Sequence, residues 1–214
     1  MNRFFQVLLF LICCSGFVSA QSQWKLVAEE DGIHVYSKSV TTSKVKAVKV
    51  ECRLEVSASQ LVALLMDLPV ATEWVSHTKS CSLVKRISPS ELYYYSEVEL
   101  PWPLENRDFV AHVQVTQDLA TKVVTMNAPA VPGWIEEKKG TVRIKQSTGH
   151  WTITPMGKNS VQVQYILQVD PGGIIPAWTV NMLAAQGPME SFQNMKRQIQ
   201  SSRYKGVSLP FIVN

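Results

Sequence analysis

Val48, Val50, Cys52, Leu54 and Val56 fall on one side of an alternating stretch, and Lys49, Glu51, Arg53 and Glu55 fall on the other. A period of two with one dry and one wet side predicts a strand of an antiparallel sheet. Ile33 and Val35 begin a shorter strand after the turn EEDGI. Further strands are predicted at 92–100, 109–115, 123–126, 142–144, 151–153 and 161–169. SPSE, STGH and MGKN, which separate some of them, carry turn chemistry.

Two segments change to helical spacing. SASQ is a capping-box pattern, with Ser57 three residues before Gln60, and Leu61, Leu64, Leu65 and Leu68 then share one helix face. Pro69 interrupts that helix, and VATEW predicts a second short one. After Pro176, the residues Trp178, Met182, Ala185, Met189, Phe192, Met195 and Ile199 recur at steps of three and four. Gly187-Pro188 lies inside this run and predicts a kink or break, because proline lacks the backbone donor and clashes one turn back. The element order is α+β: strands, short helices, a long meander and one long C-terminal helix. A curved antiparallel sheet buries its inner face by wrapping around that last helix. Such an arrangement leaves room for an internal hydrophobic tunnel.

The N-terminus changes the count of residues that fold. Arg3, the apolar run Phe4–Cys14 and VSA ending at Ala20 read as a secretory signal peptide. The alternative is a retained membrane anchor, but the run is shorter than the ~20 residues a spanning helix needs. The expectation is cleavage near Ala20, export to the periplasm or secretion, one domain over 21–205 and a tail over 206–214. The chain carries a net charge of +4, and no acidic residue follows Glu190, while Lys196, Arg197, Arg203 and Lys205 do. This basic end either meets an anionic surface such as phospholipid head groups or is a solvated helix end that suits the helix dipole. Cys52 and Cys81 survive cleavage, as either a disulfide or two small buried apolar side chains.

Catalytic patterns are absent from the sequence. It has no GxSxG, P-loop, GxGxxG or HExxH, and its four histidines lie in separate segments. Glu97 and Glu99 share a strand face with Tyr93 and Tyr95, and a carboxylate pair there could do acid–base work or sit in solvent. No catalytic residue, metal ligand or cofactor is assigned.

PWPLENRDFV at Pro101–Val110 and DPGGIIPAWTVN at Asp170–Asn181 resemble the START family, the steroidogenic-acute-regulatory-related lipid-transfer domains. WKLVAEEDGIHVYSK and the spacing of DLPVATEW extend the resemblance over nearly the whole chain after residue 20. It looks like the phosphatidylcholine-transfer-like members, preceded by an export signal as in an exported bacterial member. The resemblance implies the helix-grip fold and a lipid or sterol-like ligand in an internal tunnel, without covalent chemistry. It also implies transient membrane-surface contact, no nucleic acid and a monomer. It places the family's mobile Ω-loop at Asn127–Gly140, where Val131, Trp134 and Ile135 supply apolar tips that either gate the tunnel or cover the core.

Arg107, Phe109, Ala111 and Val113 share a phase and are assigned to the inner wall. Val113 stands where some family members carry a second basic residue. Tyr93, Tyr95, Glu97 and Arg143 are the candidate polar lining, and Trp178, Met182 and Met189 the helix's contribution. Arg107 and Asp108 have opposite phases, so Arg107 is expected to find a carboxylate or backbone carbonyls and Asp108 to tie down the turn. The leading expectation is non-enzymatic binding, with transfer of a hydrophobic molecule gated by the Ω-loop and C-terminal helix. The alternative is a cyclase or dehydratase acting in the same cavity, with Glu97, Glu99 or a histidine transferring the proton.

Overall fold

The computed structural model describes residues 24–39, 46–176, 179 and 182–214. The predicted signal segment 1–20 and Trp178 lie outside them. Ten strands form one sheet: β1 Lys25–Glu30, β2 Ile33–Ser39, β3 Lys46–Leu54, β4 Thr78–Ser88, β5 Glu91–Val98, β6 Asn106–Gln117, β7 Val124–Pro129, β8 Thr141–Arg143, β9 Gln146–Pro155 and β10 Val161–Asp170. Their order is β1-β2-β3-β10-β9-β7-β6-β5-β4, with the short β8 parallel to β6. All the other pairings are antiparallel.

The alternation in β3 lands as its periodicity predicts. Val48, Val50, Cys52 and Leu54 are buried in the main core, beside Ile33 and Val35 of β2. Strands β1 and β4 fall outside the predicted series because they are the two sheet edges. Their side chains are mostly exposed or half-buried, so neither shows a clean dry face.

Helix α1, Ala58–Leu65, begins with the predicted capping box. The backbone N–H of Gln60 donates to Ser57 Oγ at 3.2 Å, and that of Ser57 donates to Gln60 Oε1 at 3.1 Å. Leu61, Leu64 and Leu65 are buried. Pro69 falls in a 3₁₀ turn, Leu68–Val70, that leads into α2, Ala71–Trp74.

The C-terminal helix divides at the predicted place. A π-helical turn at Met182–Gln186 passes into α3, Gly187–Gln198, whose first turn takes Pro188. Proline has no N–H to continue the ladder, and the wider π-helical turn falls where that interruption occurs. Met189, Phe192, Met195 and Ile199 turn into the sheet. The segment after residue 205 is more than a tail: Ile212 is buried in the core beside Tyr204, and Asn214 Oδ1 accepts the Ser59 backbone N–H at 3.0 Å.

Much of the basic C-terminal cluster is bound to its own protein. Lys196 donates to the Asp31 carbonyl, Arg197 to Asn194, and Arg203 pairs with Asp67 at 2.7 Å. This favours the helix-end reading of those charges.

The cysteines are not bridged. Cys52 on β3 and Cys81 on β4 are free thiols, on strands separated in the sheet order by β10, β9, β7, β6 and β5. A disulfide needs Cα atoms about 4.4–6.8 Å apart. Burial pushes the Cys52 thiol up to about 12 and the Cys81 thiol up to about 11. At pH 8 both are therefore thiols rather than reactive thiolates. In protein lacking Cys13 and Cys14, a thiol reagent at pH 8 should titrate two groups in denaturant and almost none in the native state. Zero groups in denaturant would mean that the bridge forms.

Candidate functional site

Between the concave face of the sheet and α3 lies a cavity of about 280 Å³. Strand β5 contributes Tyr94, Ser96 and Val98, and β6 contributes Phe109. From β9 and β10 come Gly149, Trp151, Tyr165 and Leu167, and α3 closes the space with Pro188, Ser191 and Phe192. One end is formed by the α2–β4 junction, Val75–Thr78. Aromatic rings make much of the wall. Trp151 stacks on Tyr165 at 4.3 Å and on Phe192 at 5.5 Å, while Tyr94 meets Phe109 edge-on at 5.8 Å. Such arrangements suit the ring quadrupoles and hold the wall rigid.

Register explains which predicted residues reach this space. Ser96 pairs with Phe109 and Tyr94 with Ala111, so even-numbered β5 residues share a face with odd-numbered β6 residues. The inner phase assigned to β6 is the observed one, yet of its four residues Phe109 alone lines the cavity. Ala111 and Val113 are buried away from the cavity lining, Val113 within the main core. Met189 is likewise in the core, and Met182 is half-buried in the π-helical turn outside the lining.

Tyr93, Tyr95, Glu97 and Arg143 stand away from the cavity, on the opposite side of the sheet. Tyr95 and Glu97 pair with Val110 and Asp108, the outward phase of β6. Glu97 accepts from Lys79 and Asn106, each at 2.9 Å, and these bonds, led by Lys79, hold its carboxyl below the usual range. Glu99 is exposed. The two carboxylates considered for acid–base chemistry therefore lie outside the cavity.

Asp108 is the buried centre of the outer face. It receives Arg143 Nε at 2.7 Å and Nη2 at 3.0 Å, and the Tyr95 hydroxyl at 3.0 Å. Arg143 also donates to the carbonyls of Ile135 and Glu136, so the pair fastens the 130–143 segment onto the sheet. Trp134 stacks on Tyr93 at 4.1 Å with Lys85 over its ring, and the Val131 N–H donates to the Val110 carbonyl. Val131, Trp134 and Ile135 are not part of the cavity wall.

Arg107 takes the backbone-carbonyl alternative. Its guanidinium donates to Glu105, to Pro171 at 3.3 Å and to Gly172 at 3.4 Å. It thereby joins the β5–β6 loop to the segment that enters the C-terminal helix. Each of these two loops exposes a large apolar side chain, Trp102 at 91% and Ile174 at 89%.

Sequence reading missed Tyr94, Gly149, Tyr165 and His77. Tyr165 shares a phase with the buried Val161 and Val163, a signal that was legible. Tyr94 was masked because aromatic residues occupy both faces of YYY. His77, at φ 60, lies in a conformation uncommon for a non-glycine residue, which no local pattern announces. Among the described residues, no group of three His, Cys, Asp or Glu side chains could hold a metal ion.

A model of the START domain matches residues 15–205. An uncharacterized protein of Pseudomonas aeruginosa is 31% identical over 173 residues, covering 81% of this chain and 85% of its own. The phosphatidylcholine transfer protein of Mus musculus is 30% identical, covering 86% of this chain and 87% of its own. The crystal structure of a STAR-related lipid transfer protein from Xanthomonas axonopodis superposes with a TM-score of 0.75 at 29% identity, covering 83% of this chain and 99% of that one.

Proposed function

The chain belongs to the START domain family, and we propose that it binds one hydrophobic small molecule in the cavity beneath α3 and carries it between membranes without changing it chemically. The observation that carries this reading is the cavity itself, enclosed by aromatic and aliphatic side chains. Burying an apolar chain there contributes about 0.8 kcal/mol per methylene before ordering costs. Of the groups that could have supported a cyclase or dehydratase, Glu97 and Glu99 lie outside it, and among the described residues His77 is the one histidine in its wall, with no carboxylate beside it there. The mouse relative is named for phosphatidylcholine transfer, and transfer as an activity is what this reading takes from it.

The gate proposed is the C-terminal helix together with the loops that Arg107 joins, in preference to 127–140. Trp134 is engaged with Tyr93, whereas Trp102 projects from the β5–β6 loop and Ile174 from the entry to the C-terminal helix. Tryptophan suits a water–membrane boundary, so these two side chains would meet the bilayer as the helix opens.

Native mass spectrometry of protein purified from its own source should show one bound hydrophobic molecule, named by extraction. An empty chain that turns over a substrate would overturn the reading. In a liposome assay, the double variant Trp102→Ala/Ile174→Ser should transfer lipid about tenfold more slowly with an unchanged melting temperature. An unchanged rate would remove these loops from the membrane contact.

A further inference from the structure

We infer that the ligand is an uncharged amphiphile whose hydroxyl or carbonyl oxygen is held by Tyr94 and Tyr165, and that a phosphate-bearing or carboxylate head group is excluded from this cavity. The inference rests on the binding reading above and deepens it.

Two observations meet here. Among the described residues, the cavity wall contains no Asp, Glu, Lys or Arg. Its polar side-chain groups are serine and threonine hydroxyls, the two phenols, His77 and the indole N–H groups of Trp74 and Trp151, of which the Trp74 N–H is buried without a partner among the described residues. An ionised head group taken out of water must find a counter-charge, and without one its desolvation cost dominates binding. The arginines nearest in sequence logic are committed elsewhere, Arg107 to backbone carbonyls and Arg143 to Asp108. A single imidazole is a weak substitute for a fixed cation.

The second observation is the state of the two phenols. Tyr94 and Tyr165 both line the cavity from strands far apart in the chain. Both face the same cavity, and burial pushes both phenols up, so each stands there as a neutral hydroxyl. Neither hydroxyl has a hydrogen-bond partner among the described residues, unlike Tyr95 and Tyr204, whose hydroxyls donate to Asp108 and Asp67. Gly149 keeps the space beside one of them open: a Cβ there would stand 3.5 Å from the Tyr165 hydroxyl. A neutral phenol is both donor and acceptor, so the pair matches an alcohol, ester or ketone oxygen without asking for charge. A ligand that displaced water and offered no oxygen would leave both hydroxyls unpaired.

The test uses one chain length with different heads: dodecanol and methyl laurate, which are uncharged, against laurate and dodecylphosphocholine. Each is titrated below its micelle threshold into residues 21–214, followed by tryptophan fluorescence, since Trp74 and Trp151 line the cavity. The uncharged pair should bind at least about tenfold more tightly than anionic laurate and zwitterionic dodecylphosphocholine, whose ionised groups both lose water on entry. Tyr94→Phe and Tyr165→Phe should each weaken dodecanol binding by about tenfold with the melting temperature retained. Laurate or dodecylphosphocholine binding as tightly as dodecanol would overturn this inference while leaving the binding reading intact. So would phenylalanine variants that bind dodecanol unchanged. Failure of all four probes to bind would overturn both. Head-group selectivity is read on the unaltered protein, so it does not depend on the variants folding.

Discussion

Asp108→Ala is expected to destabilise the protein by about 3 kcal/mol, read as a lowered urea midpoint and a fall of roughly 10 °C in melting temperature. The Asp108 and Arg143 side chains are 1% and 3% exposed. Removing the carboxylate leaves a guanidinium without its counter-charge and the Tyr95 hydroxyl without its acceptor. Breaking a buried pair costs about 3–5 kcal/mol, and the lower end applies because one loop layer separates this pair from water. The same argument predicts that Asp108→Leu/Arg143→Met recovers most of the loss, since neither charge then needs solvation. Lys145–Glu137 supplies the contrast. It is nearly as short, at 2.9 Å, but its side chains are 62% and 58% exposed, so Glu137→Ala should change stability by no more than about 0.5 kcal/mol. A loss below about 1 kcal/mol for Asp108→Ala would show that water reaches the pair and that the 130–143 segment is not fastened by it.

Gly149→Leu is expected to abolish ligand retention while leaving the fold intact. A Cβ at position 149 meets Tyr165 and Ala128 at ordinary contact distances of 3.5–3.7 Å, so the backbone need not move. The rest of the leucine has the cavity as its available volume, in front of the Tyr165 hydroxyl. Replacing glycine within a strand also removes an entropic cost, which offsets part of any crowding. Bound molecule per chain, measured by native mass spectrometry, should fall by about a hundredfold, equivalent to about 2.7 kcal/mol of lost affinity. Unaltered occupancy in a folded variant would show that the ligand lies elsewhere.

Much of the frame was legible because it obeys short-range rules. Ser57 and Gln60 announced the start of α1 through a reciprocal pair of bonds that needs only four residues. The dry face of β3 and the inward phase of Arg107, Phe109, Ala111 and Val113 followed from side-chain alternation. Gly187-Pro188 marked the change from π-helical turn to α3. Opposite phases separated the partners of Arg107 and Asp108, and Arg107 takes carbonyls as expected, but Asp108 holds Arg143 and Tyr95 rather than tying down the turn.

The site was less legible, for a reason visible in β5. Alternation identifies the core face when the other face is wet, but here the 130–143 segment covers the outer face as well. Tyr94 and Tyr95 therefore look alike in sequence, although one lines the cavity and the other donates to Asp108. The edge strand β4 shows the opposite difficulty, with little burial to shape a pattern.

By itself, the sequence determined the strands with a wet side, the capped helix, the broken C-terminal helix and, through PWPLENRDFV and DPGGIIPAWTVN, the family. These depend on neighbours a few residues apart or on contiguous motifs. Tertiary structure alone decided the chemistry of the cavity. Register set the face of β5 that turns inward, and sheet curvature brought Tyr94 of β5 and Tyr165 of β10 into the wall of one cavity. The loop at 130–143 claimed Arg143 and Trp134 for the outer face. Side-chain period carries the face of a strand but neither its register nor the curvature of its sheet, and the lining of a cavity is set by those two.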